Sequence, residues 1–234
     1  MIGGSASTAF ALPDEKLAWP NLLEHSLSGI KVNHHAQGLL TMSQSIELIS
    51  NISKSDILIL HFGTSVGWPS PVVEVGLKLG LDVHNEAALH QPPLKYSGTP
   101  QRRLKNNFKL RTRNFLKYVL YFVGGYKPRT SIREVEDQVR AVLSVATKKA
   151  TNVIWIQHQS LQSMRIAVER KVYAKYYDRL VKAIQSHSSE KLRLIQLEPA
   201  FLTSENYLLD GIHLSELGHR RIAEKLKKVL SESY

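Results

Sequence analysis

Short aliphatic runs alternate with amphipathic helical patterns along this chain, and this alternation constrains the fold most. The runs rich in β-branched and aliphatic residues span residues 30–33, 57–62, 153–157 and 192–197. Runs of this length and composition are typical of strands that are buried on both faces of a sheet. Because helical patterns separate them, the sequence predicts an α/β fold: a three-layer α/β/α sandwich with a parallel sheet of about five strands.

Three helices are predicted from apolar residues that recur every three or four positions. The first follows Ser131, which lies three residues before Glu134 in the spacing of a capping box. The second and third each carry one apolar face. The expected buried residues are Ile132, Val135, Val139, Val142, Leu143 and Ala146 in the first helix, Tyr173, Tyr176, Tyr177, Leu180, Val181 and Ile184 in the second, and Ile222, Leu226, Val229 and Leu230 in the third, which begins near Ser215.

Composition narrows the function classes. The chain has 234 residues, which fits a single domain over 1–234, and 43% hydrophobic against 22% charged residues excludes a largely disordered chain. It contains no cysteine, which excludes a thiol nucleophile, a disulfide framework and a thiolate metal site. The first residues lack a basic start followed by an apolar run, and no window resembles a membrane span. We therefore expect a cytoplasmic protein.

Much of the net charge of +11 lies in one stretch of an irregular, proline-rich segment, which we interpret as an insertion or lid over residues 67–129. Seven basic and no acidic residues lie within 102–117, among them Arg102, Arg103 and Arg111. A solvated helix face would explain this charge. So would a site for an anionic ligand, such as a charged glycan or a carrier phosphate, or for an acidic membrane surface. Nucleic acid is not expected, because no recognised nucleic-acid module accompanies the charge.

Two short motifs at opposite ends of the chain carry nucleophile chemistry. Ser5 follows two glycines and precedes small residues, so a substrate carbonyl could approach its hydroxyl closely, although such residues are also common at chain ends. Asp210 lies three residues before His213, where it could accept a hydrogen bond from Nδ1–H of the imidazole and leave Nε2 as the acceptor for a serine hydroxyl. Asp210 could equally form a turn before the last helix, with His213 at the surface.

Residues that follow predicted strands should meet at the carboxyl edge of the sheet, where open α/β folds bind ligands. Gly38 and Gly63 occupy such positions and could donate backbone N–H groups to an oxyanion, or could be ordinary turn glycines. His158 follows the strand predicted over 153–157 and could contact substrate or be structural. No spacing typical of metal ligands is present, so no metal site is predicted.

Taken together, these motifs resemble the SGNH, or GDSL-type, hydrolase superfamily over nearly the whole chain. Ser5 matches the family nucleophile, Gly38 an oxyanion-hole glycine, and Asp210 and His213 the other two members of the triad. The block that begins at Asp210 is the most specific match, because residues 214–219 also look like the family sequence. The resemblance implies the family's flavodoxin-like sandwich.

Two residues depart from the family pattern. Gly4 stands where the family usually has aspartate before the nucleophile, and Ser65 stands where it has an oxyanion-hole asparagine, in the block over residues 63–65. A serine hydroxyl is a shorter donor than an asparagine amide. Loss of one oxyanion donor costs roughly 2.7–4 kcal/mol of transition-state stabilisation.

The resemblance implies a serine-dependent acyl or acetyl esterase that needs no cofactor and acts on a small-molecule or glycan ester, for example an acylated carbohydrate. Two alternatives stay open: an O-acyltransferase acting on a surface glycan, and a catalytically impaired glycan- or membrane-binding protein on the same fold. Only Met1 and Ile2 precede the nucleophile block. We therefore expect either a stunted first strand with marginal stability or a start further upstream.

Overall fold

The computed structural model describes residues 1–3, 7–8, 12–27, 31–36, 40–62, 115, 119, 131–157, 167–187, 189–197, 204–207 and 213–232, with the backbone alone for 167–172. The strands are β1 (Ile2–Gly3), β2 (His35–Ala36), β3 (Ser55–His61), β4 (Ala150–Gln157) and β5 (Leu192–Gln196). The helices are α1 (Trp19–Ser26), α2 (Met42–Asn51), α3 (Ile132–Lys149), α4 (Ala167–Gln185) and α5 (Glu216–Ser231). Short 3-10 helices span Glu15–Leu17 and Ser204–Asn206.

The five strands form one parallel sheet in the order β2-β1-β3-β4-β5. The register pairs Ile2 with Leu60, and Leu60 with Trp155. The connection after β1 leads to one side of that strand, and the connection after β2 crosses to the other side. Doubly wound sheets bind ligands in a crevice at such a reversal, which here lies between the carboxyl ends of β1 and β3. The predicted fold class and strand number are confirmed.

Alternate residues of the central strands enter two separate cores, because successive side chains of a strand point to opposite faces. In β3, Leu58 and Leu60 pack in the core formed with α2, α3 and α4. Ile59 packs on the other face, in the core formed with α1 and α5. Since all three side chains are buried, the sheet is covered on both sides and the three layers are confirmed.

Helices α2 and α3 begin where local capping chemistry predicts. Ser131 precedes α3, and its side chain accepts the Glu134 backbone N–H at 3.1 Å. Thr41 and Gln44 form a complete capping box at the start of α2. The apolar faces predicted for the three helices are confirmed, because every expected core residue except the half-buried Ile132 is buried.

The strand predicted over 30–33 is wrong in position. Residues 31–34 are not in a strand, and β2 lies at His35–Ala36. Strand pairing explains the shift. The only partner of β2 in the described sheet is the two-residue β1, and His35 N–H donates to Met1 O at 2.9 Å where the ladder begins. The described part of the first strand is two residues long, and the alternatives of a stunted strand and a start further upstream stay predictions.

Most of the segment predicted as a lid, residues 67–129, lies outside the described residues. Phe115 and Val119 are described, and both are helical and exposed, with 70% and 39% of their surface accessible. Among the helices that the structure describes, none combines the length and the hydropathy needed to cross a membrane.

Candidate functional site

His213 is the one predicted site residue that the structure describes. It is half-buried and lies two residues before Ser215, the N-cap of α5. The other predicted catalytic, oxyanion-hole and substrate-binding residues lie outside the described part of the chain, so their assignments stay predictions. They are Ser5, Gly38, Gly63, Ser65, Arg102, Arg103, Arg111, His158 and Asp210.

The sheet order nevertheless shows which strand ends precede the segments that carry these residues. β1 ends at Gly3, two residues before Ser5 in the sequence, and β3 ends at His61, shortly before the block over 63–65. Gly3 and His61 are register partners in adjacent parallel strands. The predicted nucleophile and the predicted oxyanion block therefore both follow the two strand ends that border the crevice.

The residues that follow His213 are held by hydrogen bonds to the Ser204–Asn206 turn and its neighbour Tyr207. Leu214 forms an isolated antiparallel bridge with Tyr207, and Ser215 N–H donates to Asn206 O at 2.9 Å. The Ser215 side chain then accepts the Gly218 backbone N–H at 3.1 Å and caps α5. Because the residues that follow His213 are anchored, its backbone position is tied to the first turn of α5.

The buried Asn206 provides the surface against which this turn packs. Its Oδ1 accepts from Arg221 Nη1 at 3.0 Å, which links the Ser204–Asn206 turn to α5. A Cβ atom at Gly218 would lie 2.2 Å from Asn206 O. Only glycine permits this approach, so the glycine in the block that follows His213 has a packing role.

A buried polar pair that the sequence did not predict lies beside the end of β1. Ser7 Oγ is 3.0 Å from His61 Nδ1, a hydrogen-bonding distance. Ser7 is 3% exposed and His61 is fully buried. A Cβ atom at Gly3 would lie 2.3 Å from Ser7 Oγ and 3.0 Å from His61 O. Gly3 is therefore required for the chain after β1 to pack against the end of β3.

Trp19 and His219 extend this pair toward α5. The Trp19 ring packs against the His61 ring, with centroids 5.7 Å apart and planes inclined at 56°. Trp19 N–H donates to His219 Nδ1 at 3.1 Å, in the interior of the protein. We call Ser7, His61, Trp19 and His219 the buried polar cluster. It joins the end of β3, the start of α1 and the first turns of α5.

His219 serves as a cap for α1 from another part of the chain. Ala18, the N-cap of α1, has no side chain that can accept a hydrogen bond, so the first N–H group of the helix needs a partner from elsewhere. His219 is 1% exposed, and this burial lowers its pKa from 6.5 to about 4. Its imidazole is therefore neutral near pH 7, with Nδ1 free of a proton and able to accept from Trp19.

The sequence indicates that two histidines of the buried polar cluster are buried, but it does not indicate their partners. His61 interrupts the aliphatic run over 57–62, and His219 lies three residues before Ile222 on the apolar face of the last helix. Each position indicates a buried histidine. Neither indicates its partner, because Ser7 lies 54 residues from His61 and Trp19 lies 200 residues from His219.

Within the described ranges, no group of three histidine or carboxylate side chains is placed to hold a metal ion. His34 Nε2 lies 3.9 Å from Glu24 Oε2 and forms a pair with it. His61 faces the interior and contacts Ser7, whereas His35, which follows His34 in the sequence, is exposed.

Comparison with known proteins identifies the fold. No family model and no curated protein matches the sequence. A G-D-S-L family lipolytic protein from Veillonella parvula superposes with a TM-score of 0.58 at 12% identity, over 98% of this chain and 96% of the other. TesA gives 0.54 at 12% identity, over 98% and 96%. A candidate GDSL-like lipase from Bacteroides ovatus gives 0.55 at 16% identity, over 99% of this chain and 52% of the other. These likenesses confirm the predicted GDSL resemblance at the level of the fold.

Proposed function

We propose that the protein is a serine-dependent ester hydrolase. The observation that carries the proposal is the topology of the carboxyl edge. The segments that bear Ser5 and Ser65 leave neighbouring strand ends at the switch point, and the residues after His213 are anchored to α5. The lipolytic proteins among the structural neighbours support the same class of reaction.

In the proposed reaction, Ser5 Oγ attacks the ester carbonyl carbon while His213 Nε2 takes the hydroxyl proton. The carbonyl π electrons move to oxygen, and the amides of Ser5 and Gly38 together with the Ser65 hydroxyl donate to the oxyanion. The intermediate collapses, and His213 returns the proton to the departing alkoxide. Water then releases the acyl group by the same two steps. The Asp210 carboxylate accepts a hydrogen bond from His213 Nδ1–H and keeps the imidazole oriented.

For the substrate, we propose an acylated carbohydrate or a similar small ester. The basic stretch over 102–117, with Arg102, Arg103 and Arg111, would favour an anionic ester or one presented at an anionic surface. This electrostatic contribution would weaken as salt is raised. His158 is a further proposed substrate contact.

The test is hydrolysis of a short-chain nitrophenyl ester by the purified full chain. Ser5→Ala and His213→Ala should each lower kcat at least about 1,000-fold, because a triad acts as a unit. Matched controls are Ser50→Ala and His25→Ala, which change an exposed serine in α2 and an exposed histidine in α1. The controls should keep wild-type kcat. Equal activity of wild type, Ser5→Ala and His213→Ala would contradict the proposal.

A further inference from the structure

The buried polar cluster contains a serine–histidine pair that the proposed reaction does not use. Ser7 and His61 have almost no accessible surface, so neither side chain can touch a substrate. A hydrogen-bonded pair is nevertheless retained there, at the end of the strand that borders the crevice. Two polar groups can be buried at little cost when they form a hydrogen bond with each other. That hydrogen bond also fixes their relative position.

The position of this pair in the chain suggests what it fixes. Ser5 is midway between Gly3 and Ser7 in the sequence, two residues from each. Gly3 is anchored in the sheet by its register with Ala36 and His61. Ser7 is anchored by its contact with His61 Nδ1. The two described residues that flank positions 4–6, Gly3 and Ser7, are therefore both anchored, and the same residue, His61, takes part in both contacts.

His61 is itself immobilised from two directions. Its backbone lies in the ladder between β3 and its neighbours, where it pairs with Gly3 and Ile156. Its ring packs on Trp19, whose backbone N–H is bonded to His219 in α5. The cluster therefore connects Ser7, which lies two residues after the predicted nucleophile, to α5. The predicted general base, His213, lies shortly before that helix.

We propose that His61 is a positioning residue that fixes Ser5 through Ser7. This inference rests on the proposed function, because it assigns His61 a role in placing the nucleophile of that reaction. Displacement of a reacting group by about 1 Å can lower the rate roughly 100-fold. Loss of the Ser7–His61 bond would therefore reduce the reactivity of Ser5 more than it reduces substrate binding.

The experiment compares four variants of the full chain. Ser7→Ala removes one oxygen atom, His61→Leu removes the ring partner, and His61→Asn keeps a side-chain group that can donate to or accept from the Ser7 hydroxyl. Ser45→Ala is the matched control, because Ser45 is also fully buried and donates a hydrogen bond, to Met42 O in α2. Each is measured for kcat and KM on a nitrophenyl ester, for the rate of covalent labelling by a fluorophosphonate, and for Tm.

We expect kcat and the labelling rate to fall about 10-fold to about 100-fold in Ser7→Ala and His61→Leu, with KM nearly unchanged. His61→Asn should stay close to wild type. Ser45→Ala should lower Tm but leave the labelling rate unchanged. If His61→Leu does not fold, Ser7→Ala still decides, since it changes only one atom at a folded site.

Three results would overturn the inference, and they are distinguishable. If Ser7→Ala lowers Tm as Ser45→Ala does but keeps wild-type kcat and labelling, the pair stabilises the fold and does not position Ser5. If the label attaches to Ser7 in the wild type, the buried pair is itself the reacting centre. If the wild type neither hydrolyses the ester nor is labelled, the proposed function fails and the positioning role fails with it.

Discussion

Acidification should weaken the fold through His219. The neutral imidazole accepts a hydrogen bond from the backbone N–H of Trp19. Burial lowers the pKa of His219 from 6.5 in the unfolded chain to about 4. Between these two values the unfolded state binds more protons than the native state. The contribution of His219 to stability is therefore complete above the unfolded pKa and is lost progressively as pH falls toward the native pKa.

The size of the effect follows from the same two values. Each pKa unit corresponds to about 1.4 kcal/mol, so acidification from about pH 7 to about pH 5 should remove about 2 kcal/mol of the free energy of unfolding. The full difference between 6.5 and about 4 corresponds to about 3 kcal/mol. In a domain of ordinary stability, this is a large fraction of the total.

The assay is urea unfolding across this pH range for the wild type and for His219→Asn. Asparagine places an acceptor oxygen close to the position of Nδ1 but does not titrate, so its stability should decrease by about 2 kcal/mol less than that of the wild type. His25→Asn is the matched control, because His25 is exposed. The control should follow the wild-type curve. An unchanged pH dependence in His219→Asn would refute the reasoning, even if the variant is less stable at neutral pH.

Two further changes test packing and capping. Gly218→Ala would place a methyl group against Asn206 O, so it should destabilise the fold by about 1–3 kcal/mol in urea unfolding. Leu217→Ala, at a partly exposed position of the same turn, should cost much less; equal losses would contradict the close-approach argument. Ser131→Ala should cost about 1 kcal/mol by removing the α3 cap. Ser144→Ala, exposed in the same helix, should change stability by less than about 0.5 kcal/mol, and a comparable loss there would count against the cap.

The sequence predicted the elements whose signals are local. The start of α3 depends on Ser131 and Glu134, and its buried face depends on a spacing that one helix contains in full. β3 and β4 were predicted for the same reason, since each is a long aliphatic run. β2 was misplaced because it consists of only two described residues. Its position is decided by the register with β1 and not by the side chains of His35 and Ala36.

The candidate site was predictable only in part. The Asp210–His213 spacing is visible in the sequence, and the order of the motifs predicted the fold. The Ser7–His61 and Trp19–His219 contacts join residues distant in sequence, and no periodicity links their members. They become visible only when β1, β3, α1 and α5 are brought together, because tertiary packing selects these partners.

The short β1 divides the sheet into parts that should open with different free energies. Among the described residues, β1 joins each of its neighbours through two register pairs, whereas β3 and β4 share six. Opening that separates β1 and β2 from β3 breaks little of the ladder, so amides of β1 and β2 should exchange with deuterium sooner than those of β3 and β4. This opening would also break the Ser7–His61 hydrogen bond, which ties the chain after β1 to the end of β3. A ligand bound at the crevice would oppose this opening and slow exchange there first.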